Sequence, residues 1–270
     1  MCSPEKGFKI AISGKGGVGK TTLSAMLCFL YAKEGKTVLA VDADPDANLG
    51  LALGLTTREL EASTTIAQDR KLIKERTGAE PGTSGQWFSL NPKVDDIPEK
   101  YVIEKNGIKL LQLGMAPAGG SGCYCPENTV VRSLLNHLVL DTDETVIVDM
   151  EAGLEHMGRG TARGVDAFIV VVEPGQRSFQ TAKNTVTLAK DLGVEKVFVV
   201  ANKVRPEQEK TIRENLNFLP LLGILPYSPD AVNADLTGNT LYELSPDMVS
   251  QVKRIKHNLE DQLQICHCHD

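Results

Sequence analysis

Gly14-Lys15-Gly16-Gly17-Val18-Gly19-Lys20-Thr21-Thr22 is the stretch that decides the fold. It follows an apolar run, Phe8–Ser13, that reads as a strand, and it opens a helical pattern over about Lys20–Glu34. Spelling and context together match G-x-x-x-x-G-K-[ST], the loop that wraps a phosphate chain between a strand and a helix. Glycines let backbone N–H groups turn inward around an anion, and the helix N-terminus adds positive field. Nucleotide contacts are therefore expected from Gly16, Gly17, Val18, Gly19, Lys20, Thr21 and Thr22. Lys20 is placed to reach the β- and γ-phosphates of ATP, and the Thr21 hydroxyl to ligate magnesium.

Outward from that loop, short apolar runs rich in β-branched residues alternate with helical patterns. Strands are expected at Phe8–Ser13, Thr37–Asp42, Ile108–Leu113, Thr145–Asp149, Ala167–Val172 and Val197–Asn202, with a shorter one at Leu221–Leu225. They read as continuous apolar runs, as strands buried on both faces do. Helices are expected at about Lys20–Glu34, Thr129–Leu140, Gln176–Leu192 and Ser245–Leu263. The pattern predicts an α/β fold, a doubly wound and mostly parallel sheet with helices on both faces. Residues 1–270 form one domain in this reading, with an irregular insertion over about 50–106 and a short Cys/His tail at 264–270. Gly78–Gly85, rich in glycine, reads as a mobile loop within the insertion. Asp42-Ala43-Asp44-Pro45 and Asp149 end two of the strands, and ligands of such sheets bind at the carboxyl ends of strands.

Composition narrows the function classes. With 29 Lys+Arg against 35 Asp+Glu the net charge is -6, which argues against nucleic-acid binding by a general basic surface. No apolar core follows Met1–Lys6, so no signal peptide is expected, and no run of about 18 apolar residues spans a membrane. The expected compartment is the cytoplasm, with neither nucleic acid nor membrane as partner.

Four of the six cysteines are clustered, as Cys123-Tyr124-Cys125 and Cys266-His267-Cys268, leaving Cys2 and Cys28 single. In a chain with no export signal such clusters read as metal ligands before disulfides. Two thiolates at i and i+2 can share one ion but leave a tetrahedral site half-filled. A two-fold dimer supplies the other pair from the partner chain, and four sulfurs suit zinc, nickel or copper(I). Buried thiols or a redox disulfide are the plainer alternatives.

Lys15 exceeds what the phosphate loop requires, and Lys-Gly-Gly-x-Gly-Lys-Thr resembles the deviant-Walker-A ATPases. That family includes partition and septum-site ATPases and the nitrogenase iron protein. The resemblance implies that Lys15 reaches across a dimer interface to the partner's nucleotide and stabilises charge on the transferring phosphoryl group. It implies that Asp44 positions the attacking water and that Asp149 holds magnesium through water. Asn202-Lys203 resembles the base-recognition asparagine of the family, and Leu225-Pro226-Tyr227 the loop lining the adenine. A narrower resemblance rests on Gly122-Cys123-Tyr124-Cys125-Pro126-Glu127-Asn128, on Asp149-Met150-Glu151-Ala152-Gly153-Leu154-Glu155-His156 and on Gly158-Arg159-Gly160-Thr161. These are similar to the nickel-insertion ATPases of the CooC/AcsF type, which mature carbon monoxide dehydrogenase and acetyl-CoA synthase. The resemblance implies a homodimer that hydrolyses ATP to ADP and carries Ni2+, with Zn2+ able to take the same Cys123–Cys125 site. Residues 151–156 would be the switch that links the γ-phosphate to the interface.

The tail Cys266-His267-Cys268-His269 departs from that family; it reads as a metal collector or as a frayed end. Two competing functions remain in view. One is a partition- or septum-type ATPase acting on a membrane or protein partner, whose membrane form would use the stripe Met248, Val252, Ile255, Leu259 and Leu263; core packing accounts for that stripe better. The other is an iron–sulfur electron-transfer ATPase, which would draw its cysteines from well-separated positions.

Overall fold

The computed structural model describes residues 7–82, 86–114, 126–151 and 159–263. Its strands are β1 (Lys9–Gly14), β2 (Val38–Ala43), β3 (Ile103–Lys105), β4 (Ile108–Gln112), β5 (Thr145–Met150), β6 (Ala167–Val172), β7 (Val197–Val204) and β8 (Leu221–Pro226). They form one eight-stranded sheet in the order β3-β4-β2-β5-β1-β6-β7-β8. Every neighbouring pair is parallel except β3 with β4. The doubly wound, mostly parallel α/β fold expected from the sequence is therefore the fold observed.

The first helices are α1 (Lys20–Lys33), α2 (Leu49–Ala52), α3 (Thr57–Glu61), α4 (Arg70–Thr77) and α5 (Ile97–Tyr101). They are followed by α6 (Pro126–Leu140), α7 (Arg159–Arg163), α8 (Gln176–Leu192) and α9 (Glu209–Asn215). The chain closes with α10 (Pro229–Thr237), α11 (Leu241–Leu244) and α12 (Pro246–Leu263). Right-handed crossovers set the layers: α1 winds one way from β1 to β2, whereas α6 and α8 wind the other way into β5 and β7. Side chains of the central strands alternate between two cores accordingly. Ile10, Ile12 and Ile147 pack with α1 and α12, while Ala11, Val146 and Val148 pack with α6 and α8.

The stretch from 50 to 106, expected to be irregular, carries α3 to α5, most of α2, and β3. Its helices have their own local signals. Thr56 and Glu59 form a reciprocal capping box on α3, and the Asp69 carboxylate accepts from Leu72 N (2.9 Å) to start α4. Gly78 ends α4 in the left-handed conformation. The strand missed in the sequence, β3, pairs with β4 across Asn106-Gly107, both at positive φ (54° and 74°). Asn-Gly is the sequence mark of a tight hairpin, so the signal was present but the strand too short to show a period.

On α12 the apolar stripe is core: Met248, Val252, Ile255 and Leu259 are buried. A Cβ on Gly223 would lie 2.5 Å from Ile255 Cγ1, so β8 and α12 meet at a distance only glycine permits. Among the described residues no helix is long and apolar enough to cross a membrane.

Candidate nucleotide site

The chain leaves β1 to the left through α1 and β2, and returns across it from β5 to β6, so the topological switch point lies at the carboxyl end of β1. Gly14–Gly19 occupies that crevice. Gly19 must be glycine twice over: its φ is 94°, and a Cβ would fall 2.1 Å from the Asn202 amide nitrogen. Lys20 begins α1 and is buried, with Nζ 3.1 Å from Asp44 Oδ2. Thr21 follows on the same turn, while Lys15 stands exposed on the loop.

Two further carboxylates close the floor. Asp42 and Asp149 are register partners at the ends of β2 and β5. Asp42 accepts from Leu49 N (3.0 Å) and Asp44 N (3.3 Å), and Asp44 accepts from Asp46 N (3.0 Å). Asp149 is fully buried and neither of its oxygens makes a hydrogen bond, although the Thr21 and Ser24 hydroxyls lie near enough to favour its charged form. Burial, and then the facing Asp149, push Asp42 up to about 7. Burial likewise raises Asp149 to about 6, against the pull of Thr21 and Lys20. Three carboxylates share one lysine in a space that excludes water, and such a cluster lacks positive charge.

That deficit, with two bare carboxylate oxygens beside a threonine hydroxyl, fits a hard divalent cation. Magnesium keeps most of its waters and takes one or two protein oxygens together with substrate phosphates.

Asn202 and Lys203, at the end of β7, brace the loop. The Asn202 amide donates to Val18 O (2.9 Å), and Lys203 Nζ donates to Gly17 O (2.5 Å). Lys203 holds a left-handed backbone (φ 58°), with its N–H bound to Asn202 Oδ1 (2.9 Å). Pro226 ends β8, and the next residue, Tyr227, is half-exposed and tied by its N–H to Val204 O (3.2 Å). The sequence reading missed Ser13. Its buried hydroxyl donates to Glu151 O (2.8 Å) and ties the end of β1 to the exit of β5, two residues beyond Asp149. A serine before the loop carried no signal of that partner, which lies 138 residues away. Cys123, Cys125, residues 152–156 of the expected switch and the Cys266–His269 tail lie outside the described residues.

Residues 9–241 match the family model described as the CobQ/CobB/MinD/ParA nucleotide binding domain. The chain belongs to that family. Within the CobQ/CobB/MinD/ParA family it is 46% identical, over 88% of its length and 91% of the relative's, to the carbon monoxide dehydrogenase accessory protein CooC of Rhodospirillum rubrum. It is 42% identical to an uncharacterized ATP-binding protein of Methanocaldococcus jannaschii, covering 92% of this chain and 96% of that one. Among solved structures it resembles the septum site-determining protein MinD of Pyrococcus horikoshii complexed with Mg-ADP, at a TM-score of 0.66 and 18% identity, covering 97% of this chain and 100% of that one. A plasmid partition protein of Borrelia burgdorferi bound to AMPPNP aligns at a TM-score of 0.69 and 16% identity, over 94% of this chain and 99% of the other. The recognition made on the phosphate loop and the Cys123 stretch therefore holds, and the protein is an ATPase of the MinD/ParA type.

Proposed function

We propose that this ATPase is a homodimeric metallochaperone that carries nickel to the active-site cluster of carbon monoxide dehydrogenase or acetyl-CoA synthase in the cytoplasm. The observation that carries the reading is the near full-length similarity to CooC, taken with the Cys123-Tyr124-Cys125 pair in a chain of that family. In the ATPase half, Lys20 and the backbone of Gly16–Thr22 hold the β- and γ-phosphates. Thr21 and Asp149 hold magnesium, which when bound screens the charge of the phosphates. Asp44 orients the attacking water, its own charge steadied by Lys20 at 3.1 Å. Asp42 accepts two backbone N–H groups and so fixes the turn that carries Asp44. Asn202, Lys203 and Pro226 border the base, the first two after bracing the loop from below. Lys15, exposed on the loop, serves the partner's nucleotide.

In the cargo half, nickel is substrate, not resident cofactor. Cys123 and Cys125 from two chains supply four thiolates, a set that takes nickel or zinc. ATP draws the protomers together and assembles the sulfur site, and hydrolysis loosens it, so the nucleotide state gates release to the client.

The test is anaerobic size-exclusion chromatography with metal analysis, on the wild type and on Cys123→Ser/Cys125→Ser, with ADP or a non-hydrolysable ATP analogue. About one nickel per dimer is expected in the wild type, from the two-fold symmetry of the site. The variant is expected to lose both the metal and any metal-linked dimerisation while still hydrolysing ATP. Equal nickel in both proteins sinks the shared sulfur site and leaves the ATPase alone standing.

A further inference from the structure

Past Ile12 and Asp149 the sheet divides. β1 and β5 pair in register from Lys9–Val146 to Ile12–Asp149, and the ladder between them ends there. Beyond that point β5 stays with β2, Met150 facing Ala43. β1 stays instead with β6, Ser13 facing Val170 and Gly14 facing Val171. The division sorts the nucleotide site into two halves. The phosphate loop and the start of α1 ride on the β1 half, while Asp42, Asp44 and Asp149 belong to the β2–β5 half. Thr21 and Asp149, the two residues assigned to magnesium above, therefore stand on opposite sides of the split.

Ser13 bridges it. Its hydroxyl donates to Glu151 O (2.8 Å), two residues beyond Asp149. By strand alternation Ser13 faces the same side as Ala11, into the core that contains Val146, Val148 and Val170. Ser13 is fully buried, and a hydroxyl in such surroundings costs free energy unless it is bonded. Alanine would meet the packing need alone, so the hydroxyl is there for its partner. Lys20 and Asp44 also meet across the split, at 3.1 Å. Lys20, however, is the cation that phosphates engage, so that link is given up when nucleotide binds. The serine link ends on a backbone carbonyl and is free to persist.

We infer that Ser13 is a positioning residue for the magnesium site: by tying β1 to the exit of β5 it fixes Thr21 relative to Asp149. The inference rests on the magnesium reading above and adds what keeps its two protein groups in register. Magnesium tolerates little departure from octahedral geometry, so a shift of roughly a few tenths of an ångström between the halves weakens its binding. ADP without metal is held by the β1 half alone and is indifferent to such a shift.

Melting of the full chain with saturating ADP, at a series of Mg2+ concentrations and in EDTA, tests it on wild type, Ser13→Ala and Asp149→Asn. Alanine fills nearly the same volume as serine, so Ser13→Ala should fold at the cost of about one hydrogen bond. The Mg2+ concentration that gives half of the metal-dependent melting shift is expected to rise about fivefold in Ser13→Ala, the worth of one net hydrogen bond. Its affinity for ADP in EDTA, read by calorimetry, should stay within about twofold of wild type, the low end of what one hydrogen bond is worth. A bond that served the fold alone would lower the ligand-free melting temperature and leave the Mg2+ requirement where it was. If Asp149→Asn raises that requirement and Ser13→Ala does not, the inference is overturned and the magnesium reading stands. If Asp149→Asn leaves it unchanged, the magnesium reading falls and takes the inference with it. If Ser13→Ala weakens ADP in EDTA as much as it weakens Mg-ADP, the serine shapes the phosphate loop instead, and the inference is again overturned.

Discussion

Among the described residues a lysine is buried among carboxylates in two places, and the two clusters differ in what they lack. At the far end of α1, Lys256 Nζ sits 2.8 Å from Glu34 and 2.7 Å from Glu260, with the Tyr31 ring 4.7 Å away. Its ammonium is met on three sides, and the cluster pins α12 to α1. At the phosphate loop, Lys20 meets one carboxylate, Asp44, while burial, with a neighbouring carboxylate in each case, holds Asp42 at about 7 and Asp149 at about 6. The first cluster is closed and structural. The second is left short of positive charge, and an incoming cation with its phosphates completes it. A site prepared for a ligand can thus be told from a buried ion pair by which groups remain unpartnered.

Removing each lysine should separate the two most sharply. Lys20→Ala is expected to lower ATP hydrolysis about 100- to 1,000-fold, the range for losing one preorganised charge-stabilising donor. Lys256→Ala should leave hydrolysis at the wild-type rate and cost about 2–3 kcal/mol of stability, after allowing for the half-exposed Glu34. Steady-state phosphate release and denaturant melts read the two effects. Similar losses of hydrolysis in both variants would break the comparison.

A smaller effect follows from the raised carboxyls. The folded-state values of Asp42 and Asp149 lie above the ordinary 3.8, so protonation favours the folded state. Their contribution is fully present below about pH 4 and is lost as pH rises through 6 to 7. The ligand-free protein should therefore lose stability across that window, and saturating magnesium nucleotide should flatten the slope. Urea melts at a series of pH values check it; a slope that the ligand leaves unchanged would assign the loss to other groups.

Legibility followed locality. The phosphate loop could be read because its motif is contiguous in the chain, and seven strands because each is a contiguous apolar run, most of them buried on both faces. Asp42, Asp44 and Asp149 could be placed because they end such runs. The bond from Asn202 to Val18 O could not, because it joins residues 184 apart and depends on β7 and β1 reaching the same edge. Asn202 was expected at the base from resemblance, and the fold adds that its amide also holds the loop.

The measurement that tests this account most directly is the melting-temperature shift caused by Mg-ADP in wild type, Lys256→Ala and Asp149→Asn. Neither Asp149 oxygen has a hydrogen bond to lose, so its amide should melt no lower than wild type without ligand and should lose most of the ligand-induced shift. Lys256→Ala should melt lower and keep the full shift. An undiminished shift in Asp149→Asn, or a lost one in Lys256→Ala, would contradict the division of the two clusters into one that awaits a cation and one that is already complete.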